Sequence, residues 1–291
     1  MKRATLFILL ILLAFRTTAQ FTQFWNTSTM MNPALLALDY KQAGYAVTDF
    51  NSFQKFNGKY HGNFNNNLAN YAVYLDKIKS GLGVIMNGYW GYSVMNFKLA
   101  YNYQVNLKNK LAVIFGGSFG PMNLGGGMGL GHPYWQGDLG FSIKSERFRL
   151  GIGKQNLGKL LYLTNIDDIF TSKVSSVYAE YRFGNAHGFQ LTPRIMGTKI
   201  ASDLALYSQG QLGFKNTYFF GFGAVISDGS THAVMVNFQY ILAQKIKFSY
   251  TLNRNRSSDY TSYNQYYYGF NHEIGVGVQF GNRNTKKPEH Q

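Results

Sequence analysis

Met95–Lys108 reads MNFKLAYNYQVNLK, and it constrains the fold more than any other stretch of the chain. Every odd position is apolar or aromatic, while the even ones are Asn, Lys, Ala, Asn, Gln, Asn and Lys. A period of two held over this length belongs to a strand with two unlike faces, not to a helix. Lys245–Arg254 (KIKFSYTLNR) repeats the pattern, with Ile246, Phe248, Tyr250 and Leu252 on one face. Val177–Phe183, Asp138–Lys144, Arg147–Gly153, Val234–Leu242 and Glu273–Phe280 alternate too, several with Gly or a small polar residue opposite the apolar side.

Marking every such run gives about fourteen strands, an even number of the kind outer-membrane barrels use. They are expected near 41–50, 68–77, 81–89, 94–107, 110–120, 136–144, 147–154, 174–184, 188–196, 202–214, 217–226, 231–242, 245–254 and 269–280. Between the second and third, the fourth and fifth, and so on, only short turns are available, such as Ser145-Glu146, Lys215-Asn216 and Ala243-Gln244. The long connections, 51–67, 121–135, 155–173 and 255–268, all fall in the other set. Strict alternation of short and long connections predicts an all-β fold: a transmembrane antiparallel β-barrel with short periplasmic turns and longer surface loops. A secreted β-sandwich offers no reason for that regularity.

The ends of the chain fit export. Lys2 and Arg3 precede the apolar run Thr5–Phe15, and Thr17 and Ala19 occupy the −3 and −1 positions of a cleavage site. This predicts a cleaved secretory signal peptide over 1–19 and delivery to the cell outer membrane. No Cys lies near the cleavage site, so a lipoprotein is excluded, and with no Cys at all there is no disulfide framework. No uncharged apolar segment of about 18 residues follows, so no helix is expected to cross a bilayer. Charged residues make up only 14%, and Tyr and Phe number 22 and 24. In hydrocarbon every backbone N–H and C=O must be paired, so strands can span only as a closed barrel. The apolar face then meets lipid and the Asn, Lys, Gln and Gly face lines a polar lumen. Residues 20–40 form an N-terminal segment on the periplasmic side, 41–280 the barrel and 281–291 a polar tail.

Chemistry is nearly absent. Gly116–Gly120 (GGSFG) formally matches G-x-S-x-G but sits in a strand end without the strand–turn–helix setting of a nucleophile elbow. The six His residues are dispersed, and no metal ligand set or cofactor site can be named. No enzyme is expected. The net charge of +15, or +12 without Lys2, Arg3 and Arg16, is spread singly along the chain, which excludes a nucleic-acid partner.

The stretch Phe21–Ala34 (FTQFWNTSTMMNPA) does not alternate and ends in Asn-Pro-Ala. It resembles the opening of the PorP/SprF family of Bacteroidota outer-membrane proteins. Gly137–Leu157 (GDLGFSIKSERFRLGIGKQNL) is similar to that family's paired strands, and His272–Phe280 (HEIGVGVQF) to its C-terminal strand. The chain departs from the family in Leu35-Leu36-Ala37, where an aromatic and Gly are usual. The resemblance implies a cargo-specific component of type IX secretion. Its partners would be outer-membrane lipid, the secretion machinery and a surface protein with a C-terminal sorting domain, such as a gliding adhesin. The alternative from the pattern alone is a passive or solute-selective pore. In either case the uncharged leader is expected to pack against or partly plug the lumen mouth. Phe21, Phe24 and Trp25 would be its anchors, Pro33 would set a turn, and Asn32 and Ala34 complete the motif.

Overall fold

The computed structural model describes residues 29, 31–52, 54–56, 59–61, 66–89, 94–107, 111–124, 134–157, 173–185, 188–200, 203–227, 232–258 and 266–283. The signal peptide, Phe21, Phe24 and Trp25, and the tail beyond residue 283 lie outside them. Alternation becomes strand throughout: β1 (Tyr40–Ser52), β2 (Asn66–Leu75), β3 (Ser80–Tyr89), β4 (Val94–Asn106), β5 (Ala112–Leu124), β6 (Tyr134–Lys144) and β7 (Phe148–Gln155). There follow β8 (Val174–Tyr181), β9 (Phe189–Ile200), β10 (Asp203–Phe214), β11 (Tyr218–Ser227), β12 (His232–Leu242), β13 (Ile246–Ser258) and β14 (Tyr266–Asn282). Each pairs antiparallel with the next, and β14 returns to β1 with Tyr40 opposite Asn282 and Phe50 opposite His272. The result is a closed transmembrane barrel of fourteen strands. All the expected strands are present. The largest differences are extensions: β5, β9 and β13 run on to Leu124, Ile200 and Ser258. Residues 54–56 and 59–61 add a small hairpin within the first long loop.

The ladder is interrupted where proline has no N–H to give. Pro121 in β5 stands opposite Phe97, and the β4–β5 pairing lapses there before resuming in the same register. Pro193 in β9 does the same opposite Tyr181, which splits off Phe183–Gly184 as a separate extension of β8.

The barrel is inside-out relative to a soluble domain. In β4, Met95 and Leu99 are each 62% exposed, whereas Lys98 is 4% and Asn102 1% exposed. The same holds around the ring: Leu139, Ile152, Val177, Leu204, Phe220, Val234 and Ile274 face outward, while Gln136, Ser176, Gln209, Asn237 and Thr251 are buried. A belt of this kind is stable only against hydrocarbon. Tyr101, Tyr103, Tyr181 and Tyr218 stand exposed near the short-turn edge of the belt, where amphipathic rings suit the interface. At that end, Lys215-Asn216 and Ala243-Gln244 both have positive φ, 50° and 53°, then 49° and 57°. Two consecutive left-handed residues make the tight hairpin turn whose twist matches the strands.

Candidate functional site

The lumen is not empty. Residues 31–39 enter it and cross it. Asn32 starts a short 3-10 turn, Pro33–Leu35, its side-chain oxygen accepting a hydrogen bond from the Ala34 N–H at 2.9 Å. Asn is favoured there as a cap, and Pro at the first turn position loses no needed donor. The same Asn32 donates through Nδ2 to the Phe141 carbonyl of β6 at 3.0 Å. Ser176 of β8 donates to the Met31 carbonyl at 3.1 Å. Asn102 of β4 donates to the Leu36 carbonyl at 2.7 Å and more weakly to that of Ala34, while accepting from the Gly81 N–H at 2.7 Å. Starting at β8, the segment thus passes β7, β6, β5 and β4 along the inner wall.

The wall makes room for it with glycine. A Cβ on Gly116 would lie 2.3 Å from the Ala34 nitrogen, and one on Gly153 2.1 Å from the Met31 carbonyl oxygen. A Cβ on Gly140 would fall 2.0 Å from Asn32 Oδ1. Only a backbone without side chains lets the segment lie this close. Gly116 is the first glycine of GGSFG. Ser118 in that motif donates to Asp138 at 2.6 Å, and Asp138 also takes the Lys98 ammonium at 2.8 Å. The serine is a strut of the inner wall, as the missing elbow context predicts.

Apolar contacts complete the stopper. Leu35 and Leu38 pack with Ile114, Tyr178, Met196, Tyr207 and Met235 on one side. Leu36 and Ala37 pack with Tyr45, Val47, Leu68, Ala72, Ile85 and Ala100 on the other. Each fully buried leucine contributes about 1.5–3 kcal/mol to docking. A cavity of about 140 Å³ remains beside the segment, bordered by Leu36, Asp39, Tyr45, Asn70, Arg149 and Lys247.

The exit at the short-turn end is held by charge. Asp39 pairs with Lys144 at 2.6 Å and Arg149 at 2.7 Å. Arg149 continues to Glu180 at 3.5 Å, and Glu180 to Arg194 at 3.1 Å. Arg194 ends the chain on Gln211 at 2.7 Å and Gln209 at 3.2 Å. Burial alone would raise the Asp39 carboxyl, but Arg149 and Lys144 outweigh it and hold it well below the usual carboxylate range. From beyond β14, Arg283 donates to the Ala37 and Leu38 carbonyls, both at 3.1 Å, and to Gln104 at 2.9 Å.

Asn32, Pro33 and Ala34 therefore stand together, buried, deeper than the mouth. Met31 meets Gly153 and Ser176, two residues from the long-loop ends of β7 and β8. Phe21, Phe24 and Trp25 fall outside the described residues. The partners Asn102 and Ser176 had no motif to mark them, and their only signal was polarity on the inward parity of a strand, which many lumen residues share. Lys144 and Arg149 lie within Gly137–Leu157 but nothing singled them out there, and Asp39 and Arg283 stand just outside the first and last strands. Among the described residues no group of three or more His, Asp or Glu could hold a metal.

No family model and no curated protein matches the chain. Among solved structures it is similar to the CymD monoaromatic hydrocarbon channel at 12% identity, covering 88% of this chain and 93% of that one, with a TM-score of 0.59. It is also similar to the Pseudomonas putida toluene transporter TodX (11%, 89% and 95%, 0.56) and the Ralstonia pickettii toluene transporter TbuX (11%, 88% and 94%, 0.56). Likeness at such identity establishes a shared fold: a closed antiparallel barrel of the kind that outer-membrane channels use.

Proposed function

We propose that the chain is an outer-membrane channel for small solutes, closed at rest by its own residues 31–39. The observation that carries this reading is a polar lumen stoppered by a segment that belongs to no wall strand. That segment is held by side-chain hydrogen bonds, ion pairs and two leucine-lined contacts, each of which can be undone without breaking the barrel ladder. The likeness to hydrocarbon channels supports solutes with little charge as the class carried. In planar bilayers the intact protein is expected to conduct weakly. A chain lacking residues 20–38 behind an intact signal should conduct steadily at higher current. A truncated protein that keeps heat-modifiable gel migration yet stays silent would overturn the reading.

A second reading has one observation in its favour. Asn32-Pro33-Ala34 and Gly137–Leu157, the two segments that resemble the PorP/SprF family, are in direct contact through Asn32, Gly140 and Phe141. A stoppered barrel also suits an anchor that need not conduct. On this reading the protein places a surface protein with a C-terminal sorting domain for type IX secretion. Deleting the gene and identifying the proteins lost from the cell surface separates the two: loss of one large surface protein with unchanged solute uptake supports the second.

A further inference from the structure

The outward face of the barrel carries almost no charge, which makes its exceptions informative. Among residues whose side chains are described, outward strand positions hold Lys154, Lys199 and Arg254 and no acid. Arg254 is engaged in an interaction of its own. Lys154 of β7 and Lys199 of β9 are both exposed and lie in one row across the belt. Each is in register with Ser175 of β8, which stands between them. The row continues on both sides into lipid-facing leucines: Leu139 opposite Lys154 and Leu204 opposite Lys199. Two strand spacings put the two lysine Cα atoms about 10 Å apart. Their flexible stems are long enough for both ammonium groups to reach the Ser175 hydroxyl. Lys173, exposed and just before β8, adds a third cation on the same parity as Ser175.

Directly toward the belt centre the next outward row is Phe141, Ile152, Val177, Gly197 and Leu206. Gly197 interrupts it. A Cβ at that position would meet nothing within 4 Å, so packing does not demand glycine there. Its absent side chain leaves a notch in the apolar surface between Val177 and Leu206, two residues below Lys199 on the same face.

We propose that this row is a binding site for the phosphate of an anionic lipid in the leaflet at the long-loop end, with an acyl chain seated in the Gly197 notch. An isolated lysine on the lipid face is unfavourable, least near the interface and more toward the midplane. A cluster of cations with no acid among the described outward residues concentrates that cost at one place, and a lipid phosphate removes it while the serine hydroxyl donates to the same group. The occupant is a lipid rather than free phosphate because the cations border an apolar belt, with the notch continuing into it. The inference rests on the barrel and its sidedness and is independent of what passes through the lumen.

The test uses the full-length protein in detergent, with bis-phosphorylated lipid A as probe and native mass spectrometry as readout. Wild type is expected to retain the phosphorylated lipid about tenfold or more better than the same lipid stripped of its phosphates. The Lys154→Gln/Lys199→Gln double variant should lose that preference. Lys215→Gln/Lys245→Gln, at the short-turn end, should keep it. Gly197→Leu, which fills the notch, should weaken retention roughly threefold. Since these side chains face outward, heat-modifiable migration should be unchanged in every variant. Wild-type retention by the double variant, equal loss in the short-turn control, unaltered retention by Gly197→Leu, or full displacement by inorganic phosphate would each overturn the proposal.

Discussion

Two parts of the inner wall use glycine in opposite ways. On β5, β6 and β7 the space above Gly116, Gly140 and Gly153 is filled by the backbone of residues 31–34 or the Asn32 side chain. On β11, a Cβ at Gly221 would fall 2.7 Å from Gln209 Nε2, and one at Gly223 would crowd the Met235 methyl at 2.8 Å as well as the Ser208 carbonyl. One wall is hollowed to receive a foreign segment, and the other to let its neighbours' long side chains fold across. Sequence shows small inward residues in both. Only the fold shows which hollow is a dock.

The sharpest way to break this comparison is to fill one hollow of each kind. Gly116→Val drives a side chain into the backbone of Pro33 and Ala34, which cannot move without leaving the wall. Overpacking of about 3 kcal/mol shifts the docked-to-free ratio roughly a hundredfold. We expect steady conductance in planar bilayers and rapid protease cleavage near Asn32, with the barrel intact. Gly221→Ala meets mainly the end of flexible Gln209, which can swing aside, and should leave both readouts at the wild-type level. Equal behaviour of the two variants would show that the distinction between dock and filler is wrong.

The second contrast sets charge against apolar contact in holding the same segment. The folded-state pKa of Asp39 lies below its ordinary value, so its contribution is fully present above the ordinary carboxylate pKa. That contribution is lost as pH falls through the depressed value. Wild-type docking should therefore persist at neutral and mildly acidic pH and loosen only below about pH 4. Asp39→Asn leaves Lys144 and Arg149 facing each other without their shared carboxylate. Discounted for partial exposure, the loss is about 1–3 kcal/mol. Amide exchange of residues 34–38 should then be faster at neutral pH and lack the acid transition.

How much of this could be read from the sequence follows from the same physics. The alternation in Met95–Lys108 fixes which side chains face lipid, because a one-residue slip would expose Lys98 and Asn102 to hydrocarbon. Strand number and turn positions were legible for that reason. Strand ends were not: β5 continues past Gly120 through Pro121, a residue that reads as a stop yet costs only part of one ladder. Asn-Pro-Ala stood out as a break in alternation, but its depth depends on Gly140 and Gly153, more than a hundred residues away. Arg283 follows the last strand in sequence and meets Ala37 and Leu38 only because closure brings the first and last strands together.

A milder probe of the dock is Asn102→Ala. The side chain bridges the wall and the segment, donating to Leu36 and accepting from Gly81, so its removal orphans two backbone groups. The expected loss is about 1–3 kcal/mol, seen as faster exchange at Leu36 without the full opening produced by Gly116→Val. If Asn102→Ala opened the pore as fully as Gly116→Val, hydrogen bonding rather than fit would be what holds the stopper.

The smallest effect lies in the wall itself, far from the dock. Ala243 adopts φ 49° in the turn between β12 and β13, where its Cβ crowds the following carbonyl. Glycine removes that strain but gives the unfolded chain more freedom, and the two nearly offset. At a left-handed position the strain term is the larger, so Ala243→Gly should stabilise the barrel by at most about 1 kcal/mol. A raised midpoint in urea titration of the detergent-solubilised protein, with conductance unchanged, is the expected outcome. A rise in conductance would mean that this turn communicates with residues 31–39. The nearest link is the adjacent Gln244 carbonyl, which accepts from Gln279 at 3.3 Å, and Gln279 borders the cavity beside Leu36.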